Sequence, residues 1–389
     1  MNYILFDDNQ RTKLLPLVFT RPVADIRIGI LTIREKWEWY LKATTSSLTQ
    51  DYLSKKYPLL KGNDNLLING SVVPSAELLK LIRSLKPGEQ LIKDDFIVAK
   101  RVGKEGVEND AGQEAITVQA EIDILKIENT WDIFAKNEQA IRDDFKLLTD
   151  GRKSAPLSKT NFFRGDMQDL FIEEGSDIEF AYINTESGPV YIGKNAVVME
   201  GGKIRGPFAM CENAQVKMDA KIYGPTTLGP FVKVGGEVNN SVFFGYSNKA
   251  HDGFLGNSVI GEWCNIGADT NNSNLKNTYD FIRLWSYAEQ TFVQTNLQFC
   301  GMIMGDHSKT AINAMFNTGT VVGVSCNLFG SGFQRNFIPS FSWGGPHHMT
   351  GFKLEKAFDV AAAIMKRRNK EFNQIEKEIL THIYNETLK

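Results

Sequence analysis

From Val190 to Asn271, and again from Met304 to Gly332, large aliphatic residues recur at every sixth position. The first series reads Ile192, Val198, Ile204, Met210, Val216, Ile222, Leu228 and Val234. That period fits neither an α-helix nor a simple strand. Four residues after each member stands Ala196, Gly202, Phe208, Ala214, Ala220, Thr226, Val232 or Val238, mostly small, with Gly and Pro crowded between. A second phase continues through Val242, Phe254, Ile260 and Ile266. A third runs through Met304, Thr310, Phe316, Val322 and Leu328, partnered by Ser308, Ala314, Thr320, Cys326 and Gly332. Hexapeptide units with one large aliphatic and one small residue predict a parallel β-helix, three units to a triangular coil. Coils stacked about 4.8 Å apart pair their backbones with the coils above and below, and the aliphatic columns fill the interior.

The pattern is different on either side. Tyr3–Phe6 and Leu66–Asn69 are continuous apolar runs bounded by polar turns, which predict buried strands of an α/β domain. A polar stretch rich in Lys, Ser and Gly, about Thr149 to Ser158, marks a boundary. The organisation expected is an α/β domain over 1–150, the β-helix over 151–340, and a C-terminal loop and helix over 341–389. Within the β-helix the excursion Ser273–Gly301, with Phe281, Arg283 and Trp285 alternating, predicts a hairpin arm leaving the prism. From Lys353 to Leu388, residues such as Leu354, Phe358, Ala361, Met365, Phe372, Ile375, Ile379 and Ile383 recur at helical spacing, predicting one long amphipathic helix.

At 389 residues the chain holds two domains with substantial cores, and a net charge of −2 argues against nucleic acid as the main partner. Cys211, Cys264, Cys300 and Cys326 show no CxxC spacing and read as small buried hydrophobes suited to a reducing cytoplasm. The N-terminus lacks a basic leader and a long apolar core, and no apolar run is long enough to span a bilayer, so a cytoplasmic protein with no membrane partner is expected.

Two stretches carry resemblances. Thr12-Lys13-Leu14-Leu15-Pro16-Leu17 with Thr20-Arg21-Pro22 resembles the phosphate-binding opening of the sugar-1-phosphate nucleotidyltransferases, and Lys126–Asn137 resembles that family's closing helix. The resemblance implies nucleotide contacts from Thr12, Lys13 and Arg21, and a Mg²⁺ only if this shortened domain is active. It departs at Asn9 and Arg11, which stand at glycine positions, at Lys13 and Val23, and at Ser71, where the family places the Mg²⁺-binding Asp. Hydroxyls are poor ligands for so hard a cation.

The second resemblance is Lys249–Gly261, Cys264–Thr270 and Asn274. It is similar to the acetyltransferase half of the bifunctional N-acetylglucosamine-1-phosphate uridylyltransferase/glucosamine-1-phosphate acetyltransferase family, and so implies a left-handed β-helix, a homotrimer and acetyl-CoA as co-substrate. By position, His251 matches the general base, and Asn265 and Asn274 match residues that hold the sugar and orient its amine. Lys249 and Phe254 fall at acceptor positions, and Lys309, Gly330 and Arg335 at positions able to meet CoA. Phe254 and Leu275 replace tyrosines of the family. Independently, His251 falls where the hexapeptide register breaks, so its side chain should face a groove, where an imidazole suits amine deprotonation. His347-His348 lacks Cys or carboxylate partners nearby, and no metal site is assigned. The function expected is acetyl transfer to an amino-sugar phosphate or nucleotide amino sugar, in the synthesis of UDP-N-acetylglucosamine or related cell-envelope precursors. The alternatives are a UTP- or dTTP-dependent nucleotidyltransferase and a non-catalytic sugar-nucleotide-binding homologue.

Overall fold

The computed structural model describes residues 1–107 and 115–387. The chain divides into two units: Met1–Leu14 with Thr20–Ile26 and Leu31–Glu128, and Leu15–Phe19 with Arg27–Ile30 and Asn129–Lys389.

In the first unit the expected strands lie at the centre of a sheet. It comprises β1 (Asn2–Phe6), β2 (Ser46–Leu48), β3 (Asp64–Asn69), β4 (Glu89–Lys93), β5 (Phe96–Gly103) and β6 (Ile116–Gln119), in the order β2-β1-β3-β5-β4-β6. β1 is parallel to both neighbours, whereas β3 and β4 each run antiparallel to β5. Helix α1 (Ile33–Leu41) opens with a capping box: the Glu35 amide donates to the Thr32 hydroxyl at 3.1 Å and the Thr32 amide to the Glu35 carboxylate at 2.6 Å. α1 buries Ile33, Trp37 and Leu41, and the Trp37 indole donates to Val72 O at 2.8 Å. Helix α2 (Ala76–Ser84) is capped by Ser75.

The second unit is dominated by a parallel β-helix. One face is a nine-stranded sheet whose inward positions stack as Ile172, Ile192, Met210, Leu228, Phe243, Ile260, Met304, Val322 and Ile338. The other faces carry Ile183, Ile204, Ile222, Val238 and Leu255, and Ile178, Val198, Val216 and Val234. All belong to one buried cluster. The first and third hexad phases therefore lie in the columns as expected. The second is shifted by one residue over its first two members only: Phe243 and Leu255, not Val242 and Phe254, point inward, because Phe243 pairs with Leu228 and Leu255 with Val238, whereas Ile260 and Ile266 lie in the core as expected.

Two further elements differ from expectation. The hairpin Arg283–Ser286/Thr291–Gln294 forms but does not leave the prism: Ile282 and Leu284 are buried, and Trp285 stacks on Phe337 with ring centroids 4.3 Å apart. The C-terminal helix is two. After α3 (Asp132–Ala135) and α4 (Asn137–Thr149), α5 (Leu354–Lys366) ends in a Schellman turn, with Asn369 left-handed at φ 55°, Lys370 N–H on Met365 O at 3.0 Å and Asn369 N–H on Lys366 O at 3.1 Å. α6 (Gln374–Thr387) follows, and Leu388, the end of the expected helix, lies outside the described residues.

Leu228 is fully buried between Met210 and Phe243. Leu228→Ala should destabilise the unit by about 2–5 kcal/mol, since neighbouring coils held by backbone bonds cannot collapse into the hole. Denaturant unfolding followed by circular dichroism measures this, and a change below about 1 kcal/mol would contradict the column.

Candidate active site

The register that begins Leu228, Val234 continues on its own face with Lys249, which pairs with Val234 and is 1 % exposed. A lysine thus occupies an aliphatic position. Its stem continues the column while the ammonium donates to Gly235 O at 3.0 Å and His251 O at 2.9 Å. Burial pushes this ammonium down from 10.5 to about 8, against the opposing pull of Asp252 and Asp269. Its charged end is committed to the main chain that carries His251.

His251 and Asn265 are exposed, and both line a groove of about 830 Å³ on the β-helix. The main chain of Asn265 is pinned between coils, its N–H on Ser308 O at 3.1 Å and its carbonyl accepting from Thr310 N–H at 2.9 Å, which leaves the side chain to the groove. Lys309 lines the same groove, and burial pushes its ammonium down to about 8. Asn274 is not among the lining residues: its amide donates to Asn257 Oδ1 at 2.8 Å. Phe254 also lies outside the lining, half-buried, with its backbone N–H on Asn271 Oδ1 at 2.7 Å. Gly330 and Arg335 are exposed, and neither lines the groove.

Sequence reading missed several members of this groove: Lys233, Tyr246, Trp263 and, from the turn after α5, Arg367 and Arg368. Tyr246 and Trp263 belong to a ladder of flat rings. Phe231, Tyr246, Trp263 and His307 occupy left-handed corners of successive coils with φ between 55° and 61°, and stack at centroid separations of 5.2, 4.2 and 6.4 Å. The same corner carries Asn195 and Asn213 on earlier coils. Asn tolerates that backbone and bulky rings resist it, so the change from Asn to aromatic residues along the corner was the available signal. The adjacent arginines after α5 gave none, because only folding brings them back to the β-helix.

In the first unit the strand ends form a different arrangement. The stretch expected to cradle phosphate is a 3₁₀ helix, Asn9–Leu14, with Arg11 turned inward, its Nε 3.3 Å from Asp7 and its guanidinium on the Tyr52 hydroxyl at 3.0 Å. Thr12 and Lys13 are exposed; Arg21 is buried. The Ser71 hydroxyl donates to Asn69 Oδ1 at 2.7 Å, and the Asn69 amide donates to Asp8 at 2.8 Å. Lys126 Nζ lies 3.9 Å from Asp8. Asp7 accepts from Val23 N–H at 2.8 Å and Thr49 Oγ1 at 2.6 Å, and burial holds its carboxyl above the usual range. These residues do not fit a Mg²⁺ held at Ser71: the hydroxyl is spent on Asn69 and the nearest carboxylates are spent on cations and amides. Among the described residues no cluster of three or more His, Cys, Asp or Glu could hold a metal ion. The four cysteines are buried and free, with burial pushing the Cys264 and Cys300 thiols up to about 12. No helix among the described residues is long and apolar enough to cross a membrane.

The buried ammonium has a measurable consequence. The unfolded chain keeps Lys249 protonated up to its ordinary 10.5, whereas the folded chain releases that proton from about 8. Folded stability therefore gains as pH rises through that window. Lys249→Met lacks the titrating group, so the difference in unfolding free energy should move in favour of the wild type between those two values. Denaturant unfolding of both proteins across the window checks it; a difference independent of pH would count against a buried, hydrogen-bonded charge.

Residues 3–153 match the model of a family described as sugar nucleotidyl transferase. The bifunctional protein GlmU of Methanocaldococcus jannaschii is 31% identical over 96 residues, 25% of this chain, and the match spans 23% of that relative's own length. The structure of the polySia specific acetyltransferase NeuO aligns over 54% of this chain and 94% of its own at 12% identity, with a TM-score of 0.27. The S84T mutant of AntD, an N-acyltransferase from Bacillus cereus in complex with dTDP and coenzyme A, aligns over 56% and 100% at 8% identity, with a TM-score of 0.23. The chain thus joins a region similar to the sugar nucleotidyl transferases to a parallel β-helix, in keeping with its resemblance to the bifunctional uridylyltransferase/acetyltransferase family.

Proposed function

We propose that the chain is an acyl-CoA-dependent acyltransferase acting on an amino-sugar phosphate or a nucleotide-activated amino sugar. The observation that carries this reading is His251: an exposed imidazole in a groove wide enough for substrate, on a main chain anchored from inside by Lys249 and beside Asn265. In the reaction the neutral amino-sugar nitrogen attacks the thioester carbonyl and the C–N bond forms; His251 takes the proton that the nitrogen loses, the C–S bond breaks, and the imidazolium returns that proton to the departing sulfur, so that CoA leaves as the thiol. Asn265 orients the acceptor. The similarity of residues 3–153 to sugar nucleotidyl transferases supports a sugar-based acceptor.

His251→Ala should lower kcat by about 10²- to 10⁴-fold, with the melting temperature nearly unchanged, because an exposed groove residue contributes little to the column. Initial rates of thiol release from acetyl-CoA with glucosamine 1-phosphate measure the loss. A variant that keeps wild-type kcat would assign the base elsewhere.

A second reading, sugar-1-phosphate nucleotidyl transfer, is favoured by the family match over residues 3–153. Pyrophosphate release from UTP or dTTP separates the two. The hydrogen-bonded Ser71 and the Lys126–Asp8 pair weigh against turnover there.

We also propose a homotrimer packed through the β-helix, an assembly that would enclose acceptor and acyl donor between subunits. Light scattering at micromolar protein should give three times the chain mass; a monomer would refute it.

A further inference from the structure

The groove beside His251 is closed on one side by α5, a helix outside both stretches that carry a resemblance. Ala357, Ala361 and Met365 of α5 are buried, while Val360, Ile364, Arg367 and Arg368 line the groove. The Schellman turn at Asn369 holds the last turn of α5 in place and so fixes where the two arginines project. Arg368 donates to Asn248 Oδ1 at 3.3 Å. Lys233 and Lys309 also line the groove, and among the described residues no carboxylate does.

Such a cluster costs energy in the empty protein. Burial, then Arg368, Lys217 and Arg367, hold the Lys233 ammonium below its usual range, and burial, then Arg367, does the same to the Arg368 guanidinium. The charged side chains that hold Lys233 down, Arg368, Lys217 and Arg367, are themselves cations. Cations of a merely solvated face sit among carboxylates or apart. Here four converge beside an imidazole, in a concavity of about 830 Å³ that is larger than a single sugar ring needs.

We propose that Arg367 and Arg368, in the turn that ends α5, with Lys233 on the β-helix, form a clamp for a phosphate or diphosphate group of the ligand that reacts at His251. The clamp rests on the acyltransferase reading for the chemistry at His251, but its anion binding is measurable without turnover. Guanidinium forks engage phosphate oxygens in pairs and stay charged when partly desolvated, which suits arginine to this task. The phosphate has two possible sources, the acceptor sugar and CoA. Because the two arginines stand in the turn after α5, outside the β-helix, removing them should weaken binding and leave the β-helix columns and His251 untouched.

The test is calorimetric titration of CoA and, separately, glucosamine 1-phosphate into the full chain, its Arg367→Ala/Arg368→Ala variant, the Arg367→Lys/Arg368→Lys variant and Lys233→Ala. Loss of the arginine pair should weaken at least one probe by about 10- to 100-fold. The lysine pair should retain part of that affinity, and Lys233→Ala should weaken the same probe, all with unchanged far-ultraviolet circular dichroism. Weakening confined to glucosamine 1-phosphate makes the acceptor the source; weakening confined to CoA makes it the acyl donor. Unchanged affinity for both probes in the alanine pair overturns the clamp even if acetyl transfer is intact. Weakened binding in a protein that transfers no acetyl group leaves the clamp standing and removes the acyltransferase reading.

Discussion

In the β-helix no coil can satisfy its own backbone. The Gly193 N–H needs Met210 O at 2.7 Å, Gln215 N–H needs Val232 O at 2.8 Å, and Lys217 N–H needs Val234 O at 2.8 Å, each on the next coil. A buried backbone group left without its partner costs about 1–3 kcal/mol, so coils lock in register or do not form. Register then decides for every residue whether its side chain enters the prism or leaves it. The interior has to be filled, and the outside is free to carry charge and chemistry.

Lys249 shows how tight that constraint is. Its place in the stack points its side chain into the column, and the protein answers by running the stem along the column and bonding the ammonium to two carbonyls. One of those carbonyls belongs to His251, so a residue forced inward by register steadies the exposed imidazole two positions on. Lys309 follows a similar logic at the groove, where its ammonium donates to His307 O at 2.5 Å while its side chain lines the wall.

The outer face of the nine-stranded sheet is covered within the same unit. Ile30, Ile141 and Phe145 pack on Phe171, Tyr191, Ala209 and Cys211. Polar groups fix the placement: the Asn137 amide donates to Pro225 O at 2.8 Å while its oxygen accepts from Gly29 N–H at 2.7 Å, and Asp144 accepts from Ile30 N–H at 2.7 Å. At Gly29, with φ 70°, an added Cβ would lie 2.5 Å from the Asp144 carboxylate, so only glycine fits. α4 and the segment 27–30 thus belong with the β-helix although the chain reaches it only later.

The hexad period determined the β-helix by itself, because a column of identical environments selects the same class of residue again and again, and repetition is visible in one dimension. It also marked His251, through the break in the repeat. What it could not determine was the shift at the start of the second phase, since a lysine in the column is invisible to a rule that counts aliphatics, and Val242 is as apolar as Phe243. The helix break at Asn369 was equally hidden: the apolar stripe continues on both sides, and only the left-handed backbone there ends α5. Above all, the groove's cations come from coils and from a helix far apart in the chain. Lys233, Lys309, Arg367 and Arg368 meet only because α5 buries Ala357, Ala361 and Met365 in the folded unit, and that juxtaposition is a property of tertiary packing that no local pattern encodes.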